Sequence, residues 1–322
     1  MLEDSFGRRF HYLRLSITEA CNFRCQYCLP DGYKGPSDDA FMALPEITTL
    51  VKTFAALGTS KVRITGGEPS LRRDFVEVIE VCKATEGVNK VATTTHGARL
   101  KRDAKSWKQA GLDQINVSID SLDPRQFADI TGHNKLTAIL DGIDVALQEE
   151  LTVKVNTVFL KDYAGKQLHE FKQWLKHTPV TLRFIELMET GDHPRFFKQQ
   201  HLSGGPVKTE LLSEGWQPVI RTKDAGPAEE FFHPEYAGRI GLIMPYSKDF
   251  CQSCNRLRVA ANGKLHLCLF SEQGIDIRPY LKNGDVPGLM AFLQQLLGKK
   301  HATHYLHDGI TGATSHLAML GG

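Results

Sequence analysis

Three cysteines lie close together near the start of the chain. Cys21, Cys25 and Cys28 are spaced C-x3-C-x2-C and follow the apolar run YLRLSIT. A four-iron iron–sulfur cluster normally takes four thiolate ligands, so three cysteines leave one iron open to a small molecule. A zinc site of three cysteines and one histidine is the alternative, but His11 lies too far upstream to give a familiar spacing. The spacing therefore predicts an iron–sulfur cluster with an open coordination position.

A second set of three cysteines lies near the other end of the chain. Cys251, Cys254 and Cys268 are spaced C-x2-C-x13-C, and the sequence NRLR follows the first pair. A structural zinc site completed by His266 or His233 is one interpretation. A second cluster with an open iron is the other, and such a cluster would bind a substrate. Both interpretations remain open on the cysteines alone.

Composition narrows the class of protein. The chain has 322 residues, of which 41% are hydrophobic and 24% charged, with a formal net charge of +2. So small a charge does not indicate nucleic-acid binding, and no apolar run approaches the ~18 residues of a membrane span. Seven cysteines in a chain without a recognisable export signal favour metal or redox chemistry over disulfides. We therefore expect a cytoplasmic protein with no membrane or nucleic-acid partner.

Strand-like and helical patterns alternate through the first part of the chain. The candidate strands are residues 12–18, 61–65, 90–95, 114–120, 152–159 and 181–187. Amphipathic patterns between them, such as 45–58 and 72–84, predict helices. Parallel strands need such crossovers, so residues 1–189 predict an α/β fold, an incomplete (β/α)6 TIM-like barrel. A doubly wound open sheet is the alternative fold.

The alternation ends after Met188. Residues 190–322 predict a C-terminal α+β extension that carries the second cysteine set, binds substrate and caps the barrel opening. Its candidate strands are residues 230–234, 239–244, 256–260 and 264–268, and a helix is predicted near 286–298.

Cations occupy one face of several predicted strands. Arg14, Arg63 and Lys154 alternate with apolar residues, which should pack beneath the helices. The lumen of a closed barrel is normally filled by branched apolar side chains, and charged groups are costly to bury without partners. We therefore expect an open lumen that holds water and an anionic ligand. Arg183 and Met188 can both face it only if their strand ends before Met188.

These motifs resemble known families. CxxxCxxC with Tyr27 before its third cysteine, and GGEP at residues 66–69, are similar to the radical S-adenosylmethionine enzymes. With the second cysteine set, the sequences RITGGEP and RFIELMETG, and the double-glycine end, nearly the whole chain resembles the GTP 3′,8-cyclase family, the molybdenum cofactor biosynthesis A proteins. Other radical S-adenosylmethionine enzymes with an auxiliary cluster, such as peptide-modifying maturases, and a non-enzymatic zinc-binding module remain as alternatives.

The resemblance assigns roles by position. It implies S-adenosylmethionine contacts at Tyr27, Gly67, Ser118 and Met188. It implies GTP contacts at Arg14, Arg63, Thr94, Lys154, Arg256, Leu257 and Arg258, with Arg183 as a weaker candidate. It implies catalytic roles for Arg256, Arg258, Gly321 and Gly322. It implies ligands for one [4Fe-4S] cluster in Cys21, Cys25 and Cys28 and for a second in Cys251, Cys254 and Cys268.

The resemblance also implies a reaction and partners. Two [4Fe-4S] clusters and S-adenosylmethionine would convert GTP into (8S)-3′,8-cyclo-7,8-dihydroguanosine 5′-triphosphate, the first step of molybdenum cofactor biosynthesis. The radical from S-adenosylmethionine would remove hydrogen from ribose C3′, and the C3′ radical would then attack guanine C8. One more electron and a proton would complete the product. An electron donor such as flavodoxin and a downstream pyranopterin synthase are the expected partners, and a homodimer is compatible with the sequence.

Two histidine features stand apart from these assignments. The family often has TTNG after the third strand, whereas this chain has His96 in place of the asparagine. Histidine keeps some tolerance of the left-handed region but changes the hydrogen bonding. His301, His304 and His307 are spaced three apart near the C-terminus, and we expect them on a solvated surface.

Iron analysis tests the prediction of two clusters. Protein reconstituted anaerobically should be brown and contain about eight irons, because two four-iron clusters are expected. Colourless protein that holds stoichiometric zinc would contradict both cluster assignments.

Overall fold

Twelve strands form one sheet in the computed structural model, which describes residues 1–36, 40–191, 193–220, 225–271, 273–312 and 316–321. The strands are β1 (Tyr12–Ser16), β2 (Lys61–Thr65), β3 (Lys90–Thr95), β4 (Gln114–Ser118), β5 (Thr152–Phe159), β6 (Thr181–Glu186), β7 (Gln217–Pro218), β8 (Glu229–Phe232), β9 (Arg239–Ile243), β10 (Arg256–Val259), β11 (Lys264–His266) and β12 (Ile275–Asp276).

Ten helices accompany the sheet within those described ranges. They are α1 (Leu44–Ala56), α2 (Phe75–Ala84), α3 (Leu100–Gln109), α4 (Pro124–Thr131), α5 (Leu136–Gln148), α6 (Ala164–Leu175), α7 (Pro194–Gln200), α8 (Gly205–Ser213), α9 (Arg278–Lys282) and α10 (Val286–Leu297). Short 3-10 turns cover Pro69–Leu71, Leu306–Asp308 and Leu317–Met319. No helix in this part of the chain is long and apolar enough to cross a membrane.

The strand order confirms the incomplete barrel. Strands β1 to β6 pair in sequence order, all parallel, and β10 and β9 add one parallel strand at each end. In a doubly wound sheet the strand order reverses at a switch point. Strands β1 to β6 follow one another without such a reversal. The extension expected after residue 189 thus shares its sheet with the barrel, while the division into two domains stays a prediction.

The segment between β9 and β10 joins the two ends of the parallel array. It runs over residues 244–255 and carries Cys251 and Cys254. Because β9 pairs with β6 and β10 pairs with β1, this segment spans the side on which the barrel is incomplete. The second cysteine set is therefore placed beside the lumen by chain connectivity.

Alternating residues divide the sheet into two faces. Leu13, Leu15, Val62 and Ile64 are fully buried on the face beneath the helices. Burial of such side chains stabilises the fold by about 1.5–3 kcal/mol each. The other face carries polar groups into the lumen, as the sequence pattern predicted.

Several expected boundaries differ because the chain leaves the sheet early. β1 ends at Ser16 and β4 at Ser118, two residues before their predicted ends. β6 ends at Glu186, so Met188 lies beyond the strand. This confirms the condition under which Arg183 and Met188 both reach the lumen. The segments released from the strands form the loops of the site.

Trp107 tests how the helical layer supports the barrel. It is 2% exposed on α3 and packs edge-on against Phe75, with ring centroids 5.2 Å apart. Trp107→Ala should lower the free energy of unfolding by about 3–5 kcal/mol, since it leaves a large cavity.

Denaturant unfolding measures the change, with Leu212→Ala as the control. Leu212 is 46% exposed, so its truncation should cost no more than about 0.5 kcal/mol. Equal effects of the two substitutions would contradict the packing described.

Candidate functional site: two adjoining chambers in the barrel

A cavity of about 530 Å³ occupies the lumen. The strand register aligns Arg258, Arg14 and Arg63 side by side on β10, β1 and β2. Lys154 and Arg183 line the cavity from β5 and β6 on the far side of the barrel. The cavity therefore presents cations from both walls to a ligand between them, which fits a polyanion such as a triphosphate.

These cations are buried or half-buried and close enough to shift one another's pKa. Burial and the nearby Arg63 lower the pKa of Arg183 to about 9. Burial raises the pKa of Tyr12, but the cations Arg63, Arg14 and Lys61 outweigh it and lower the pKa to about 7. A polyanion would relieve both the repulsion and the cost of burial.

Several of the cavity's nitrogen atoms lack a protein partner within the described part of the chain. They include Nε of Arg63, Nε and Nη2 of Arg183, and Nε of Arg256. Buried donors are normally hydrogen-bonded to protein, ligand or water. They are consistent with contacts to an anionic ligand.

One carboxylate enters this cationic cavity. Glu230 Oε1 lies 2.6 Å from Lys154 Nζ, and both side chains are mostly buried. It is the only Asp or Glu among the described residues that line the cavity. It therefore offsets one positive charge, and the cavity wall keeps a large excess of positive charge.

A smaller chamber of about 140 Å³ adjoins the first. Its walls include Cys21, Cys25 and Cys28, and also the S-adenosylmethionine candidates Tyr27, Gly67, Ser118 and Met188. The two chambers share four lining residues, namely Thr94, Asn156, Ile185 and Met188. The first cysteine set is thus brought within reach of the cationic lumen.

Close backbone packing explains the glycine pair. A Cβ on Gly66 would collide with the Thr18 carbonyl, and one on Gly67 with the carbonyls of Glu19 and Ala20. The sequence analysis left this role out. Because glycine has no Cβ, the backbone of the segment leading to Cys21 can pass directly against Gly66 and Gly67. This close approach places Cys21 in the chamber.

Glu68, which follows the glycine pair, is hydrogen-bonded to the end of β3 and to the residue after it. Its buried carboxylate accepts hydrogen bonds from Ser70, the Thr95 hydroxyl and the His96 backbone N–H, with distances of 2.6, 2.8 and 2.8 Å. The His96 ring stacks on Phe23 at 4.0 Å between centroids.

The same ring makes two polar contacts. Its Nδ1 accepts from the Ala98 backbone N–H at 3.1 Å, so Nε2 carries the proton and donates to Asn22 Oδ1 at 2.8 Å. His96 thus holds the loop between Cys21 and Cys25.

Asp120 is a site residue that the sequence analysis missed. Its Oδ2 accepts a 2.8 Å hydrogen bond from the Tyr27 hydroxyl, and its Oδ1 accepts from the Val158 backbone N–H at 2.9 Å. Burial raises the pKa of Asp120 to about 6. Its position just past the end of β4, beside Ser118, was the available signal.

The C-terminal tail enters the smaller chamber. Gly321 lines it, and its carbonyl accepts hydrogen bonds from the Arg14 guanidinium and the Thr65 hydroxyl. Burial raises the pKa of Cys28 to about 12, although backbone N–H groups of Ala318 and Leu317 act against it. The tail therefore contacts both the first cysteine set and a predicted GTP residue. Gly322 lies outside the described residues.

The second cysteine set lines the larger cavity. Cys251, Cys254 and Cys268 all contribute to its wall. Burial raises the pKa of Cys254, but Arg256 and Lys300 outweigh it and lower the pKa to about 7. Cations that stabilise thiolate suit a thiolate-ligated cluster.

Neither histidine of the zinc alternative lines this cavity. Trp216 and Tyr236 surround His233, and His266 lies beside Ser271 with its Nδ1 3.4 Å from the hydroxyl. No three His, Cys, Asp or Glu side chains in the described ranges are placed to hold a single metal ion.

The side chain of Leu257 lies in the hydrophobic core, 1% exposed, and does not line the cavity, because its neighbours Arg256 and Arg258 take the inward positions of β10. Its role as a GTP contact stays a prediction. The expectation for His304 is corrected. His304 is buried rather than solvated; its Nε2 donates to the Pro245 carbonyl at 2.9 Å, and it lines the cavity. His301 is exposed as expected, and the side chain of His307 lies outside the described part.

The comparisons agree with this architecture. The sequence profile of the Radical SAM superfamily matches residues 15–175, and that of Molybdenum Cofactor Synthesis C matches residues 180–306. The crystal structure of Streptococcus suis SuiB bound to S-adenosylmethionine is similar in fold, with a TM-score of 0.63 and 11% identity over 90% of this chain and 68% of that chain. Fold and site together define a radical S-adenosylmethionine enzyme.

Full-length relatives identify the family. A GTP 3′,8-cyclase from Shewanella denitrificans is 55% identical over 100% of this chain and 96% of the relative. Those from Vibrio vulnificus and Haemophilus ducreyi are 52% and 54% identical, over 99% and 100% of this chain and 97% and 95% of the relatives. The chain belongs to the GTP 3′,8-cyclase family.

Gly321→Ala tests the placement of the tail. Gly321 has φ +68°, and a Cβ there would collide with the Thr65 side chain. The substitution should displace the tail and lower GTP turnover by about 100-fold, the scale expected when positioning is lost by ~1 Å. Product formation measured by chromatography reports the loss.

Gly309→Ala is the matched control. It has φ +73° and no atom within 4 Å of the added Cβ, so it carries backbone strain without the collision. Equal turnover in the two variants would show that tail placement does not matter.

Proposed function

We propose that this chain catalyses the S-adenosylmethionine-dependent cyclisation of GTP to (8S)-3′,8-cyclo-7,8-dihydroguanosine 5′-triphosphate, the first step of molybdenum cofactor biosynthesis. The observation that carries the proposal is the placement of two three-cysteine sets on adjoining chambers. Cations line the larger of the two chambers. An enzyme that joins two parts of one nucleotide needs both reacting ends held within one enclosure.

The smaller chamber suits the cofactor and the larger one the nucleotide. The three thiols of the first set would hold a cluster with one open iron, and they line this chamber together with Tyr27, Gly67, Ser118 and Met188. When bound, the reduced cluster and S-adenosylmethionine supply a carbon radical that removes a hydrogen atom. Thr94 and Met188 lie where the two chambers meet, which is where the ribose would have to lie.

The protein's own side chains would position the nucleotide, and its tail would exclude water. Arg14, Arg63, Lys154 and Arg258 would hold the triphosphate through charge-assisted hydrogen bonds. Arg256 lies beside the second cysteine set and would help to hold the guanine end near it. The buried tail covers the smaller chamber, so a reactive radical meets the substrate rather than water.

The wider setting follows from the same proposal. An electron donor such as flavodoxin would reduce the first cluster, and a pyranopterin synthase would take the product. We expect the reaction to occur in the cytoplasm, and a homodimer is compatible with it.

Separate substitution of the two cysteine sets tests this division of roles. Cys25→Ser should abolish reductive cleavage of S-adenosylmethionine, whereas Cys254→Ser should keep much of that cleavage and lose GTP cyclisation. Anaerobic incubation with GTP, S-adenosylmethionine and dithionite measures 5′-deoxyadenosine and cyclised nucleotide together.

Cys82→Ala is the control, because Cys82 is a buried free thiol on α2 that lines neither chamber. It should keep both products. Equal loss of both products in Cys25→Ser and Cys254→Ser would contradict separate roles for the two sets.

A further inference from the structure

The larger cavity extends to the N-terminal end of the barrel. The first residue of every one of the eight parallel strands lines it, namely Tyr12, Lys61, Lys90, Gln114, Thr152, Thr181, Arg239 and Arg256. In a closed barrel this end is packed with branched apolar side chains. Here it is polar, and four of the eight residues are cations. We call this ring of eight residues the N-terminal mouth.

We propose that GTP reaches the larger chamber, and the cyclised triphosphate leaves it, through the N-terminal mouth. The inference rests on the proposed function for the identity of the nucleotide. It assigns a transport role to Lys90 and Arg239, which have no place in the contacts inferred above.

Exposure shows which end of the cavity meets solvent. Among the described lining residues, Thr152 and Arg239 alone are exposed, and both belong to the N-terminal mouth. At the opposite end the tail covers the smaller chamber, where Leu317, Ala318 and Leu320 are 7%, 4% and 2% exposed. A molecule the size of a nucleotide would have to displace that tail to arrive from the C-terminal end.

Charge favours the same route. Lys61 and Arg63 lie two residues apart on β2, so they face the lumen in succession, and Arg256 and Arg258 do the same on β10. A triphosphate that enters at Arg239 would therefore meet cations at each step inward. Clefts of one charge sign raise association rates by about 10–10³-fold.

Acidic side chains on the cavity wall do not cancel the positive potential at the N-terminal mouth. Glu230, which already pairs with Lys154, is the only carboxylate among the described lining residues. Lys61 has its Nζ 4.9 Å from the Tyr12 ring centroid, and burial lowers its pKa to about 8. Lys90 is half-buried and Arg239 exposed, so these two meet an incoming anion first.

Binding kinetics on the reconstituted full-length holoenzyme test the charge component. Radiolabelled GTP is added without S-adenosylmethionine, so that no turnover occurs, and association and dissociation are followed by rapid filtration. For Lys90→Gln/Arg239→Gln the association rate should fall by about tenfold at low salt, with dissociation nearly unchanged. The difference should vanish near 1 M salt, where the screening length is about 3 Å.

Lys52→Gln/Lys105→Gln is the matched control, with the same change in net charge at exposed positions on α1 and α3. It should bind GTP at the wild-type rates. Faster dissociation with unchanged association in Lys90→Gln/Arg239→Gln would show that these groups are ligands rather than guides, and would overturn the proposal.

A steric substitution tests the route itself. Thr152→Trp narrows the N-terminal mouth, so association and dissociation should both slow by about tenfold while their ratio, and hence the affinity, stays unchanged; a barrier alters rates and not the bound state. Ser106→Trp, at an exposed position on α3, is the control for a surface tryptophan and should match wild type.

Failure of the route can be told from failure of the proposed function. If wild-type holoenzyme binds and cyclises GTP but Thr152→Trp and Lys90→Gln/Arg239→Gln behave like their controls, the route alone is overturned. If wild-type holoenzyme does not bind GTP, the proposed function fails and the route with it.

Discussion

Repulsion among cations buried in one lumen is the constraint on which the rest of the structure depends. Arg14, Arg63 and Arg258 lie side by side on adjacent strands, and each is mostly out of water. Such an array is costly to maintain unless something negative completes it. Within the protein, the Gly321 carbonyl and the Glu230 carboxylate supply a part of that complement. The positive charge that remains favours a polyanionic ligand in this chamber.

The incomplete barrel provides the space that these cations line. A closed eight-stranded barrel packs its lumen with side chains, whereas an open one leaves space for two ligands. The missing side is spanned by residues 244–255, which bring two of the three cysteines of the second set to the cavity. Arg8 ties this segment to the C-terminal region, since its guanidinium donates to the carbonyls of Cys251, His301 and Ala302 at 3.1, 2.6 and 2.6 Å. The N-terminal segment, residues 301–302 and the second cysteine set are thus held together.

Local sequence patterns predicted most of the barrel. Three of its six strands, β2, β3 and β5, have the predicted bounds, because their alternation of apolar and polar residues continues to the strand ends. The inward cations followed from the same alternation. The same alternation turns the side chain of Leu257, which stands between two inward arginines, into the core, and its role as a GTP contact stays a prediction. Asp120 and His304 were missed because each reaches the site from outside any strand.

By itself, the sequence determined the cysteine spacings, the inward charge and the parallel βα order, since these depend on neighbours along the chain and on side-chain alternation. Tertiary structure alone decided that β9 and β10 extend the barrel, that both cysteine sets open onto adjoining chambers, and that Gly321 contacts Arg14. These relations join residues up to about three hundred positions apart. They depend on which strands pair and on which residues line the same lumen. A local sequence pattern predicts neither.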